Sequence, residues 1–226
     1  VPYTGSSLIL NTYTREFGLL SFMVRNLGGK KRKSRAFAEL LSRVEITFHR
    51  REKYGIQTAG EIRHVPDGSG LFQDPLKGSV NLFLAEMLTK ALQEESADPE
   101  LYDYIESSLQ YFTTSENHQT FHLLFLIKLS RFFGFFPQGS YSAHTRYFDA
   151  LHGEFTDNPN SSLHTLPDRE SEAWCKMVRA DYESDLILGK EMRRRMLNAV
   201  VDYYRLHLEG FGEVKSLPVL IEVFSA

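Results

Sequence analysis

The chain has 226 residues, of which 42% are apolar and 24% charged, with a formal net charge of −3. Those proportions exclude a disordered chain, a collagen-like chain and a coiled-coil rod, and they allow one large domain or two small ones. A single cysteine, Cys175, excludes an internal disulfide and a cysteine-rich zinc site.

The small net charge conceals an asymmetry. Residues 1–66 carry 12 Lys and Arg against 5 acids, and the remainder carries 14 against 24. A basic part followed by an acidic part predicts two segments with different partners, the first a polyanion such as nucleic acid. The opening Val1-Pro2-Tyr3-Thr4-Gly5-Ser6-Ser7 holds no apolar run of the signal-peptide kind. The greasiest segment, residues 121–136, is interrupted by Lys128 and Arg131. It is too short and too charged to span a bilayer and reads as a buried helix.

In chain order, the first 66 residues read as strands. Leu8 to Tyr13 is one. Leu20, Phe22 and Val24 alternate with Ser21, Met23 and Arg25 to give a second, and Val44, Ile46 and Phe48 alternate with Glu45, Thr47 and His49 to give a third. Ile56 to Val65 is a fourth. Thr14 to Gly18 reads as a tight connection with Gly18 at an unusual backbone angle. Asn26 to Ser42 is a long polar connection, with a helical turn expected near Ala36 to Leu41. Short strands with long charged loops predict a small β-barrel.

Pro66-Asp67-Gly68-Ser69-Gly70 is the predicted boundary. Beyond it Val80, Phe83, Leu84, Met87, Leu88 and Leu92 recur at helical spacing. A second helix starts after Asp98, a capping residue, with Pro99 at its first position. A third, His118 to Phe133, is apolar around most of its circumference and is expected to be central. Residues 137–168 are rich in Pro, Gly, Ser, Asn and Asp and read as irregular. Helices are expected over Glu170–Leu188 and Lys190–Leu208, and a short last one after Ser216 and Pro218.

Catalytic motifs are missing. Gly29-Lys30 is followed by Lys31 and Gly189-Lys190 by Glu191, so there is no phosphate-cradling loop. Gly68-Ser69-Gly70 is a turn rather than a nucleophile elbow. His152-Gly153-Glu154 has the spacing of zinc deaminases but lacks their paired cysteines. His118 and His122 stand at i, i+4 without a third ligand and read as a polar helix edge. Cys175 beside Trp174 reads as a small core residue. The remaining catalytic option is a hydrolase built from His144, Asp149, His152, Asp157 and His164, which requires those groups to converge in one cleft.

The distinctive feature is Gly28-Gly29-Lys30-Lys31-Arg32-Lys33-Ser34-Arg35, a run without an acid between two candidate strands. With Arg25 before it, and Arg50 and Arg51 after the next strand, it forms a candidate DNA-binding set: Arg25, Lys30, Lys31, Arg32, Lys33, Arg35, Arg50 and Arg51. The interleaved aromatics Tyr13, Phe17, Phe22, Phe37, Phe48 and Tyr54 suit single-stranded nucleic acid, whose bases stack on rings while cations neutralise phosphates. An RNA-binding module satisfies the same physics. Phe22 and Phe48 lie on the apolar faces of their strands and are expected in the core.

Several stretches resemble one family. Ser6-Ser7-Leu8-Ile9 leading to Tyr13-Thr14-Arg15-Glu16-Phe17-Gly18, then Leu82 to Leu88, Phe121 to Arg131, and Tyr203 to Phe211 followed by Lys215-Ser216-Leu217 are similar to the RecO family of bacterial DNA-repair proteins, in the right order over nearly the whole chain. The likeness is strongest to Bacteroidetes-type members. It implies an α+β, multidomain protein: an OB-fold-like β-barrel over residues 1–66 and an all-α helical domain over 71–226. It further implies a cytoplasmic, nucleoid-associated recombination mediator of the RecF pathway, without catalytic turnover or cofactor. Such proteins bind and anneal single- and double-stranded DNA, contact single-stranded-DNA-binding protein (SSB) and RecR, and help load RecA. The acidic, Phe-ending tail of SSB needs an apolar pocket beside cations. Lys128 and Arg131, at i, i+3, with Leu124 and Phe132 as a wall, are the expected site. Some members hold a four-cysteine zinc site in the helical domain; residues 147–167 contain no cysteine here, so no metal is expected. Members also have more residues before the Tyr3 position, which predicts about a dozen further N-terminal residues carrying a first barrel strand.

Overall fold

A computed structural model describes residues 2–3, 7–24, 39–50, 55–65, 74–92, 96–115 and 119–224. The four expected strands form, at Ser7–Thr14 (β2), Gly18–Val24 (β3), Val44–Phe48 (β4) and Ile56–His64 (β5), preceded by a short β1 at Pro2–Tyr3. They make one five-stranded sheet in the order β1-β2-β3-β5-β4. β2 and β3 form a hairpin whose last pair is Thr14 with Gly18, and Gly18 sits at φ 67°. That left-handed angle is cheap for glycine and costly for other residues. β3 and β5 run parallel, so the residues between them, β4 included, form a crossover. This is the strand order of an OB-fold, with the sheet not closed into a full barrel among the described residues.

The helices follow: Pro75–Ala91 (α1), Pro99–Thr114 (α2), Phe121–Leu129 (α3), Asp168–Arg179 (α4), Lys190–His207 (α5) and Leu217–Val223 (α6). The Asp98 carboxylate accepts the Leu101 N–H at 3.0 Å, satisfying one of the four orphan donors at the start of α2. Of the nine residues of α3 only Lys128 is not buried, which makes it the central helix of its unit. α3 is shorter than its apolar run. Gly134 takes φ 80° and the Phe135 N–H turns back onto the Ser130 carbonyl at 3.1 Å, closing the end.

Two further expectations change. Residues 180–189 are not helical: Ala180 is extended, and the Asp181 N–H is taken by Ser184 Oγ at 2.9 Å, a local side-chain turn that competes with the helix. Residues 137–168 contain a three-stranded sheet, β7-β6-β8, from Tyr147–Asp149 (β6), Glu154–Thr156 (β7) and Thr165–Leu166 (β8). The turn between β6 and β7 requires Gly153, at φ +71°; a Cβ there would stand 2.9 Å from the Tyr203 hydroxyl.

Contacts divide the chain into two compact units, Val1–Asp74 with Leu88–Thr114, and Pro75–Met87 with Ser115–Ala226. The division does not follow the change of periodicity near residue 70, because α2 lies with the strands. Tyr102 stacks on Tyr13 at 6.3 Å, Asp103 takes the Arg15 guanidinium in a bidentate pair at 2.8 and 3.0 Å, and Glu106 pairs with Arg43 at 2.9 Å. In the second unit Trp174 stacks on Phe148 at 4.9 Å and meets Tyr203 edge-on at 5.3 Å. The hydroxyls of Tyr203 and Tyr204 donate to the carbonyls of Phe135 and Leu126, so neither buried O–H is left unpaired. Among the described residues no helix is long and apolar enough to cross a membrane.

Candidate functional sites

The basic set is only partly visible. Arg25, Lys30, Lys31, Arg32, Lys33, Arg35 and Arg51 lie outside the described residues, as do Phe37 and Tyr54. Arg50 follows β4, and its guanidinium lies over the Phe17 ring at 4.9 Å. Phe17 meets Phe48 edge-on at 5.9 Å, and Phe48 meets Phe22 at 4.8 Å. Phe22 is fully buried, while Phe17 and Phe48 are half-buried, so the aromatic chain runs from the core outward to a cation. The other bases described in this segment are committed to acids: Arg15 to Asp103, Arg43 to Glu106 and Arg63 to Glu61. Arg50 instead sits on a ring, with its charge uncompensated by a carboxylate among the described residues.

The expected tail site is dispersed. Leu124 is 1% exposed and contributes from beneath the surface. Lys128 Nζ already holds Asp181 at 2.8 Å. Arg131 is exposed and lies over the Phe136 ring at 4.6 Å, and Phe132 is half-buried.

The hydrolase set does not converge. Asp149 is buried at 1% exposure, and its carboxylate accepts from His152 Nδ1 at 2.8 Å, Ser162 Oγ at 2.7 Å and the Leu151 N–H at 2.9 Å. Burial alone would raise its pKa, but these bonds, with one from Ser161, hold it well below the usual carboxylate range. The same bond raises the pKa of His152. Ser162 donates to the carboxylate, not to the imidazole, so no hydroxyl is poised on a base as nucleophilic catalysis needs. His144, Asp157 and His164 are exposed side chains without a shared hydrogen bond in this cluster. The Asp149 cluster ties the β6–β7 turn to the segment before β8. Among the described residues no three His, Cys, Asp or Glu are placed to hold a metal ion. Cys175 is buried and accepts the Tyr141 N–H at 3.3 Å.

A feature that periodicity missed is a cavity of about 380 Å³ in the second unit. Arg193, Arg194 and Leu197 of α5 line it, with Ile221 and Phe224 of the α6 segment and His122 of α3. His122 is not a polar helix edge. It is fully buried, and neither ring nitrogen has a hydrogen-bond partner among the described residues. Burial first, and then Arg193, pushes its pKa down to about 3, so the ring is neutral at physiological pH. His118 lies outside the described residues.

An OB-type strand order in a basic segment, followed by helices, is an architecture that nucleic-acid-binding proteins use. Residues 1–65 match the family described as Recombination protein O N terminal, and residues 73–218 match Recombination protein O C terminal. The chain belongs to the RecO family. It is 32% identical over 230 residues to the DNA repair protein RecO of Azobacteroides pseudotrichonymphae, covering 99% of this chain and 95% of that protein. It is 33% identical over 229 residues to that of Phocaeicola vulgatus, covering 99% and 94%. With the RecO of Bacteroides fragilis ATCC 25285 the identity is 32% over 230 residues, covering 99% and 95%. It is therefore a DNA-repair and recombination protein, and its relatives include Bacteroidetes members.

Proposed function

We propose that the chain is a recombination mediator without turnover of its own. It binds single- and double-stranded DNA through the basic segment, anneals complementary strands, and works with SSB and RecR to help load RecA in the cytoplasm, on the nucleoid. The observation that carries this reading is the OB-type sheet in a segment with 12 bases against 5 acids, in a chain of the RecO family. The test is annealing of complementary oligonucleotides, bare and coated with SSB. The expected result is acceleration in both; no acceleration in either rejects the reading.

The SSB tail is assigned to Lys128 and Arg131. Asp181, whose side chain is 82% exposed, is a carboxylate already resting on Lys128, and an acidic tail takes its place there. Lys128→Ala and Arg131→Ala are each expected to weaken the tail peptide about five- to tenfold, the scale of a charge-assisted contact at a partly exposed site. Unchanged titration curves for both variants move the tail elsewhere.

A further inference from the structure

Arg15 and Arg43 belong to the basic segment, yet one helix takes up both. Asp103 of α2 accepts from the Arg15 guanidinium at 2.8 and 3.0 Å, and Glu106 lies 2.9 Å from Arg43. Beside them the Tyr102 ring stacks on that of Tyr13 at 6.3 Å and 29°. A guanidinium fork fits a carboxylate and a phosphate alike, and a tyrosine ring stacks on a base as it does on another ring. Asp103 and Glu106, at i, i+3, share a helix face, with about 5–6 Å between their Cβ atoms. To this part of the sheet unit α2 therefore offers two anions and a ring, the groups that a short single strand would offer.

We infer that α2 is a built-in competitor of nucleic acid: Tyr13, Arg15 and Arg43 form a subsite for a single strand, and Tyr102, Asp103 and Glu106 occupy it. This subsite presupposes DNA binding by the basic segment and sets a limit on it. The ion pairs are exchangeable. The side chains of Arg15, Asp103 and Arg43 are each about half exposed, and pairs so open to water are worth little. The helix does not depend on them, because Leu101, Ile105 and Phe112 anchor it from the buried side and Asp98 caps its start. The charge is more than compensated, since Glu16 and Glu106 add to the field of Asp103 at Arg15. Three acids around two guanidiniums leave a face that repels phosphate while α2 covers it. Arg50, on the Phe17 ring, has no such cover among the described residues. The open cation and the covered pair define an edge: a strand reaches Arg50 and Phe17 and is turned away at α2.

The test compares four forms of the whole chain: unaltered, Asp103→Asn with Glu106→Gln, Arg15→Gln with Arg43→Gln, and all four substitutions together. Fluorescence anisotropy follows their binding to oligothymidylate between about 50 and 200 mM salt. Removing the two carboxylates is expected to tighten binding about tenfold at the low-salt end, the combined worth of two exposed pairs. Two phosphates newly neutralised steepen the slope of log K against log salt by about 1.4, so the gain shrinks below about twofold at the high-salt end. In the chain without Arg15 and Arg43 the same two substitutions are expected to change neither affinity nor slope, a result that a long-range effect of charge does not give. Tm is expected to fall by no more than about 4 °C. Should the paired variant not fold, Asp103→Asn alone decides, with a slope change of about 0.7. Unchanged affinity and slope in Asp103→Asn with Glu106→Gln, while the unaltered chain binds, overturns the subsite and leaves DNA binding standing. A gain that persists without the two arginines also overturns it. No binding by any of the four forms overturns DNA binding by the basic segment, and the subsite with it.

Discussion

Replacing Lys30, Lys31, Arg32 and Lys33 together with alanine is expected to weaken single-stranded DNA binding and to flatten its dependence on salt. Each phosphate neutralised on a single strand adds about −0.7 to the slope of log K against log salt, so three or four contacts give roughly −2 to −3. The unaltered chain then loses about 20–60-fold in affinity between 50 and 200 mM salt, and the variant loses far less. The effect falls evenly on all DNA sequences, because phosphates carry no base identity. The fold is expected to survive, since solvated charges contribute little to stability. Titrations at four salt concentrations, with circular dichroism as the folding control, decide. Equal slopes in the two proteins mean that the run only solubilises and that the DNA surface lies elsewhere.

The second large effect is at Asp149. Asp149→Ala leaves the Leu151 N–H and the Ser162 and His152 side chains without their common acceptor. The expected cost is about 3 kcal/mol, the range for losing a buried charged partner. For a chain of this length that lowers Tm by about 6–12 °C. The sign of the pH effect follows from the depressed carboxylate pKa. The Asp149 contribution is complete above the ordinary range of carboxylates, about pH 4, and is lost as the pH falls below it. His152 acts in the opposite sense: its raised pKa adds stability below about pH 6.5 that is lost as the pH rises through the raised value. Thermal melts from pH 2.5 to 8 test both, and the Ala variant should give a flatter acid limb. A chelator should leave the melt of the unaltered protein unmoved, since among the described residues no three His, Cys, Asp or Glu are placed to hold a metal ion.

What could be read in the sequence follows from where the physics is local. Val44 to Phe48 alternates in and out of a half-buried sheet, and Asp98-Pro99 is a self-contained helix start, so both are visible in a few residues. The strands β6 to β8 are two or three residues each and depend on Asp149 reaching Ser162, thirteen positions away. No short-range periodicity reports that. The failure of α4 to continue comes from Ser184 capturing the Asp181 N–H, a competition that apolar spacing does not register. In the sequence His122 reads as a polar edge because His118 stands one turn before it, whereas every residue of α3 except Lys128 is buried. The cavity joins residues 122, 193 and 221, which nothing in the chain order brings together. The grouping of α2 with the strands likewise rests on distant pairs such as Arg15 with Asp103.

Trp174 is the sole tryptophan of the chain, it is shielded from solvent completely, and aromatic rings lie 4.9 and 5.3 Å from it. Its ultraviolet emission is therefore an internal gauge of one unit only. While α4, α5 and β6 hold together the indole glows at the short wavelengths of an apolar setting, and it shifts red when they part. A nucleic acid landing on the β-sheet unit has no tryptophan there to quench. Fluorescence from the unaltered protein thus separates two events that most optical signals merge, loss of structure around α4 and occupancy of the basic segment.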